Sequence, residues 1–433
     1  MRFVLTLLGV LALNQLATSQ QEVVGLTGVN SMLISQSTGS GACTVYDCNT
    51  NFAAQTGARG GGAAYDSRIG AVWVTNGTQL DAVTTPRPSN AICVPTCSTQ
   101  RVPMPGVAFG DYCTGLTYLD GGAVSPDGTP AARGRLYFLY ESNRLGWALT
   151  QGCDLSNYSF CDLSRTLPVN ATISGLACDD VRRLLFVGIN GTPARLPRVN
   201  IYDADDPCTL LCSVEITTAL QFCSTELGEI TGLTYDSCEQ TLFVTDGNRT
   251  LSGSLQVVEV GGNWLCTWQH ESCCPLPPSD PLTGLALTGI APVSVGQSCT
   301  LAPCFSCPTM QARTTGDPVL GNGAFSLDLI NAPSNAGLAI LALAFGSCTT
   351  PGVNVGLCQQ IRVPSAGQVL AAFVPPPNTP GSCGTVIRIP VPIPVDPVFC
   401  GTALSFQWGV SCTNASRDTS SISNCVSLVV RSL

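Results

Sequence analysis

Residues 230–251 read ITGLTYDSCEQTLFVTDGNRTL: a Gly-Leu step, a short apolar segment, a Tyr-Asp turn, then Leu-Phe-Val and an Asp-Gly. The chain writes this more than once. GGAAYDSRIGAVWVTNG begins at Gly61, TGLTYLD at Thr114 with RLYFLYESN following from Arg135, SGLACDDVRRLLFVGING at Ser174, and a truncated TGLALTG at Thr283. With one glycine of each copy as the anchor (Gly62, Gly115, Gly175, Gly232 and Gly284), the intervals are 53, 60, 57 and 52 residues. That period accommodates four short strands with their turns. The aromatic of the next strand follows its anchor by 11 residues at Trp73, Phe186 and Phe243. Phe138 follows Gly115 by 23, because a loop containing DGGAVSPDGTPAARG is inserted there, and lengthening a loop costs little entropy.

Each copy reads as a sheet. In the fourth, GLTY is the inner strand, TLFVTD the second, SLQVVEV the third and NWLCTWQH the outermost. Apolar and β-branched residues fill the first two, as strands covered on both faces require, and Asp-Gly supplies a hairpin turn. A lone four-stranded sheet cannot bury its faces, and repetition around an axis solves this, so the period predicts a β-propeller. LTGLALTG lacks a following second strand, whereas SMLISQSTGSGACTVYDC near the start looks like second and third strands missing a first. Pairing the two would complete one blade from both termini and remove an open edge. Five blades result, or six if VVGLTG near Gly25 begins a short blade of its own; a β-sandwich or solenoid is the alternative architecture.

Composition sets the compartment and removes chemistries. The opening MRFVLTLLGVLALNQLATSQ has the layout of a secretory signal peptide, ending near Ser19. Its apolar run is shorter than the roughly 20 residues a bilayer span needs. Twenty-four cysteines suit an oxidising space. Eighteen fall between Cys43 and Cys307 and six between Cys348 and Cys425, the even counts that two separately stapled domains would give. Cys304 and Cys307 have the spacing of half a zinc site, but no second such pair exists. All 19 basic residues are arginine, so Schiff-base, P-loop and Ser-Lys chemistries are excluded. The formal charge of −9 argues against a nucleic-acid partner. The sole histidine, His270, falls on the predicted outermost strand and reads as a half-exposed edge residue.

At about Pro308 the repeat stops. GNGAFSLDLINAPSNAGLAILALAFG, a Pro-rich path and IPVPIPVDPVFCGTALSFQWGV follow, then CVSLVVRSL. FSLDL, LAILALAF and SFQWGV read as strands of a small antiparallel sandwich. In this order, with Asn-Ala-Pro after the first strand and a Phe-Gln-Trp segment, residues 309–433 resemble a C-terminal β-sandwich module carried by secreted proteins of GC-rich environmental bacteria, often beside propeller-like repeats. The resemblance implies a role in surface retention or sorting. The expected organisation is a signal peptide over 1–19, a propeller over 20–300, a linker over 301–308 and the sandwich over 309–433.

Propeller sites form where loops meet at the channel mouth. Loops entering the inner strands offer Asp111, Glu229 and Asp280, and loops after the second strands offer Asn76, Asn143, Asn190 and Asp246. Oxygen donors from several blades could converge on Ca²⁺, which takes six to eight oxygens. The repeat distantly resembles lactonase-like propellers, which implies a metal that polarises an ester. Against this, Asn76-Gly77, Asn190-Gly191 and Asp246-Gly247 are dipeptides that hairpin turns demand. Asp66, Asp179 and Asp236 recur at one hairpin position and are expected to close the turn on its own backbone. The six N-x-S/T sequons (Asn76, Asn157, Asn170, Asn190, Asn248, Asn414) need a eukaryotic secretory pathway to matter. The sequence therefore favours a secreted or cell-surface binding protein over an enzyme. It would be a monomer with an extracellular protein, glycan or cell-wall partner. A Ca²⁺-dependent hydrolase using Glu229, Asp246, Asp111 and Asp280, or a structural matrix component, are the alternatives.

Overall fold

The computed structural model describes residues 22–27, 32–37, 45–49, 61–66, 69–75, 77, 79–83, 102–103, 112–119, 134–191, 196–218, 226–275, 282–288, 293–299, 310–323, 325–333, 336–354, 359–365, 369–373, 385–394, 396–412 and 420–431. The signal-peptide and linker segments lie outside them. The described residues are all-β, with five four-stranded antiparallel sheets before residue 290. The fourth sheet runs in the predicted order: Gly232–Asp236, Thr241–Thr245, Arg249–Val260 and Asn263–Pro275. The inner strands of the other four are Gly62–Asp66, Cys113–Leu119, Thr172–Asp179 and Leu282–Thr288.

The repeating glycine explains how these strands meet. A Cβ on Gly62 would lie 2.5 Å from the Leu116 nitrogen, one on Gly115 3.1 Å from the Leu176 nitrogen, and one on Gly175 3.1 Å from Gly232. One on Gly232 would lie 2.9 Å from the Gly284 Cα, and one on Gly284 2.8 Å from the Gly62 Cα. The last contact returns to the first glycine, so the five inner strands form a ring with backbones too close for any side chain at those positions. Gly175 carries a second constraint, a φ of +78°.

The 11-residue register has an equally local cause. Trp73 pairs across the hairpin with Ala64, Phe186 with Ala177 and Phe243 with Thr234, each partner lying two residues beyond its anchor. A large ring thus stands opposite a small side chain near the crowded axis. The aromatics are buried between sheets. Trp73 and Leu80 of one sheet share a cluster with Leu116 and Phe138 of the next. Phe186 and Val199 likewise meet Leu233, Val244 and Leu251.

The strand Leu282–Thr288 pairs with Glu22–Thr27, which continues through Met32–Ser37 to Val45–Asn49. The two ends of the repeat region do complete one sheet. VVGLTG does not begin a sheet of its own. It supplies the second strand, so the MLISQS and VYDC segments move outward to third and fourth.

After residue 290 two further sheets share one apolar core. One has the order Val293–Val295, Ser420–Val429, Ala403–Cys412, Ala336–Phe345 and Val369–Phe373, and the other joins Gln311–Thr315, Ser326–Ala332 and Thr385–Pro390. Leu327 and Leu329 meet Leu341, Phe406, Trp408 and Val426 between them. LAILALAF is a strand, and Val293–Val295, which precede the change in sequence texture, belong to this unit.

The expectation of separate disulfide sets is corrected. Cys161–Cys208 and Cys212–Cys266 join neighbouring sheets of the ring, and Cys348–Cys425 lies within the C-terminal unit, but Cys238–Cys400 links the two. Parity of counts constrains how many thiols can pair, not which elements packing brings together.

On the three-stranded sheet Asp328 is buried beneath Arg388, whose Nε and Nη2 donate to it at 3.1 and 3.0 Å. Burial alone would raise this carboxyl, but the hydrogen bonds from Arg388, Thr315 and Ser326 outweigh it and hold it below the ordinary carboxylate value. A depressed folded-state value stabilises the fold above the unfolded value of about 3.9, and that stability is lost as pH falls toward the folded value. Acid titration followed by tryptophan fluorescence should show this loss, and Arg388→Gln should shrink it. For the ring, Gly232→Ala should destabilise by about 1–3 kcal/mol in denaturant titration with disulfides intact. Gly228→Ala, where an added Cβ meets nothing within 4 Å, should leave stability within about 1 kcal/mol of the parent.

Candidate functional site

Sheet geometry gives the ring two sides. The turns that follow the inner strands, closed by Asp66, Asp179 and Asp236, lie on one side. The segments leading into the inner strands and out of the second strands lie on the other, because Gly232 pairs with Thr245 and Asp236 with Thr241. The C-terminal unit packs on the turn side, where Val181 and Cys238 touch its core and Arg431 Nη1 reaches Glu239 Oε1 at 3.2 Å.

Two of the three recurring aspartates act as the sequence predicts. Asp179 Oδ1 accepts from the Val181 and Arg182 amides, both at 3.0 Å, and Asp236 Oδ1 from the Cys238 amide at 2.8 Å. Asp66 Oδ2 accepts instead from the Trp73 indole at 3.1 Å. Asp179 and Asp236 thus close turns on their own backbone, whereas Asp66 fixes the indole of the strand opposite.

The loop-side candidates do not behave alike. Glu229 is exposed on the segment that leads into Gly232–Asp236. Asp246 lies at the same end of the same sheet, but its Oδ2 is taken by Arg249 Nε at 2.8 Å and its Oδ1 by the Asn248 amide at 3.1 Å. Gly247 has a φ of +90° and donates to Thr245 Oγ1, so Asp246-Gly247 is a turn. Gly77 repeats this at φ +93°, bonded to Thr75 Oγ1. Asn143 adopts φ +61° in the turn before Arg144–Gln151. Asp111, Asp280 and Asn76 lie outside the described residues. Among the described residues no group of three or more His, Cys, Asp or Glu side chains is placed to hold a metal ion.

Asn190 departs from its predicted role as a turn residue on the binding face. It ends the strand Leu184–Asn190 and is buried. Its Oδ1 accepts from the Ile230 amide at 2.7 Å, while its Nδ2 donates to the Ile230 carbonyl at 2.9 Å and to Ser174 Oγ at 3.0 Å. The side chain pins the backbone of the next sheet. His270 is likewise buried, with Nε2 2.8 Å from the Ser272 carbonyl, on the outer strand opposite Gly253.

Two residues escaped the sequence reading. Arg182 bridges sheets: Nη2 donates to Tyr235 Oη at 2.5 Å and Nη1 to the Val257 carbonyl at 3.0 Å. Its guanidinium carbon sits 5.8 Å from the Tyr235 ring. Burial pushes the Tyr235 phenol far above its ordinary value, so it remains a neutral donor and acceptor. Tyr112, 43% exposed at the lip of the loop side, is the other. An arginine three residues past a turn aspartate and a tyrosine before a cysteine carry no periodic signal.

Among the described residues the cavity at the axis measures about 20 Å³ and is lined by Ala64, Thr117, Thr234 and Ala286 together with Tyr65, Tyr118, Tyr235 and Cys178. That holds about one water, whereas small-molecule sites run to roughly 300–1,000 Å³. Burial raises the Cys178 thiol well above its ordinary value, and the thiol donates to the Tyr118 carbonyl at 3.0 Å, so it is no nucleophile.

No protein-family model matches the chain, and no curated protein matches it. Among solved structures, one chain of a mitotic checkpoint complex is similar at 13% identity and TM-score 0.30, over 61% of this chain and 68% of that one. Hsv2 of Kluyveromyces lactis follows at 8% and 0.29, over 58% and 85%. Sqt1 of Saccharomyces cerevisiae is similar at 9% and 0.28, over 73% and 67%. Likenesses this distant carry no argument about function, and the reading of the fold rests on strand order and the glycine contacts. Among the described residues no helix is long and apolar enough to cross a membrane.

The Asn190 contact is open to measurement. Asn190→Ala leaves the buried Ile230 amide without its acceptor and should cost about 1–3 kcal/mol in denaturant titration. Ser156→Ala, on the exposed outer strand, should cost less than about 0.5 kcal/mol.

Proposed function

We propose that the chain is an extracellular binding protein in which a five-bladed propeller presents its loop side to a protein, glycan or cell-wall partner. In this reading the C-terminal unit is a β-sandwich module that retains the protein at a surface. The division of the two sides carries the proposal: the C-terminal unit takes the turn side and leaves Tyr112, Glu141 and Glu229 exposed on the other. A rigid scaffold with adaptable loops on one side is the usual way such architectures bind partners. The axial cavity is too small for a substrate, which favours a surface contact over a buried reaction. The disulfides between neighbouring sheets suit an oxidising space.

Immobilised protein tested against cell-envelope and extracellular fractions would check this. A Tyr112→Ser, Glu229→Ala double variant should lose a partner that the parent retains, and Val398→Ser, a 73% exposed position in the C-terminal unit, should still capture it. Capture unchanged by the loop-side substitutions would overturn the assignment of that side. The calcium-dependent hydrolase makes a separate demand. Because Asp246 is committed to Arg249, calorimetric titration with Ca²⁺ should give no saturable heat at a Kd below about a millimolar, the weak end of extracellular sites. Saturable heat abolished by Glu229→Ala would restore the hydrolase.

A further inference from the structure

The C-terminal unit does more than rest against the turn side. Its loop Asp317–Leu320 enters the mouth of the ring: Val319, 1% exposed, packs in one cluster with Ala63, Tyr65 and Ala286, which stand on inner strands. Tyr65 Oη donates to Asp317 Oδ2 beside it. The loop is braced from behind, since the Leu320 amide donates to the Arg431 carbonyl at 2.7 Å, the Arg431 amide to the Pro318 carbonyl at 2.9 Å, and the Gly321 amide to the Pro394 carbonyl at 3.2 Å. Arg431 also reaches forward to Glu239. One residue from Glu239, Cys238 joins Cys400. Both cysteines are half-buried, and Cys400 follows the exposed Pro397 and Val398.

We propose that this unit is a stopper for the turn-side mouth and that Cys238–Cys400 is its redox latch. Among the described residues the noncovalent holds at the mouth include the apolar contacts of Val319 and Val181, the Tyr65 to Asp317 hydrogen bond and the partly exposed Arg431 to Glu239 ion pair, the last a kind of contact worth little alone. Docking of the two units is intramolecular already, since one chain carries both, and the disulfide raises its effective concentration further by tying the units beside the contact itself. A dithiol reductant opens the latch by exchange. Its thiolate attacks one sulfur, the S–S bond breaks, and its second thiol resolves the mixed disulfide. Two electrons and two protons pass to Cys238 and Cys400, which become thiols as the reductant becomes a disulfide. The stopper then leaves the mouth in a reversible equilibrium, uncovering Ala63, Tyr65, Val181 and Ala286, and re-oxidation closes it. This goes beyond the binding role proposed for the loop side and does not depend on it.

Hydroxyl-radical footprinting of the full chain tests the latch, because Tyr65 is 8% exposed and Trp73, within the ring, 2%. In Cys238→Ser with Cys400→Ser, Tyr65 oxidation should rise on the order of 10-fold or more while Trp73 stays protected. Parent protein titrated with dithiothreitol should follow the same course, and removal of the reductant in air should reverse it. Tyr65 as protected in the double variant as in the parent would overturn the proposal. Tyr65 and Trp73 labelled together would also overturn it, since the disulfide would then hold the fold and not a stopper.

Discussion

Backbone contact between five glycines limits everything else in the ring. Where the Gly284 and Gly62 chains approach so closely that a methyl group would sit 2.8 Å from a Cα, no side chain fits at those positions without moving the backbone. Volume must move outward, and it does: Trp73, Phe138 and Phe186 lie in clusters between adjacent sheets. Each sheet becomes a wedge, thin at the glycine and thick at the aromatic. Wedges of that shape bury both faces only when others flank them, which is why a single copy of the repeat could not stand alone.

Apolar wedges slide, and directional contacts fix their angle. Asn190 uses both ends of its amide on the Ile230 backbone, and Arg182 spans from the Asp179 turn to Tyr235 and the Val257 carbonyl. These are buried polar groups with partners, which specify geometry more than they add net stability. Farther out, Cys161–Cys208 and Cys212–Cys266 tie three successive sheets together at the rim. Tight contact at the axis, polar bridges at middle radius and covalent ties at the rim divide the work by distance from the centre.

The parts of this arrangement that repeat were legible, since a constraint met five times leaves a period. Gly62 through Gly284, the aromatic 11 residues on and the turn aspartates all belong to that class. Contacts made once leave no such trace. Asn190 was taken for a turn residue because Asn-Gly is a turn dipeptide, yet its strand continues to pair with Thr172, and tertiary context overrode the local signal. His270 looked half-exposed because outer strands usually face solvent. The role of Glu22–Thr27 as a second strand was hidden for another reason: its inner neighbour, Leu282–Thr288, is supplied from the far end of the repeat region. The Cys238–Cys400 link follows from docking, and spacing encodes no docking.

The asymmetry of the two sides follows from how each kind of connection is closed. On the turn side a buried carboxylate draws the following amides inward in two hairpins, as Asp179 does for Val181 and Arg182 and Asp236 for Cys238, so these two are short, while the second sheet carries the inserted loop there. A flat two-sheet unit can approach this side closely enough for Val319 to seat and for two half-buried cysteines to pair. Loop-side segments vary more: Gly77 and Gly247 share one turn, but Asp246 makes an ion pair, Asn190 a backbone clamp, and Asn143 a left-handed turn. Irregular connections suit a second rigid unit poorly and a specific partner well, because each can change without disturbing the glycine contacts beneath it. The order imposed on one side thus leaves the other free to vary.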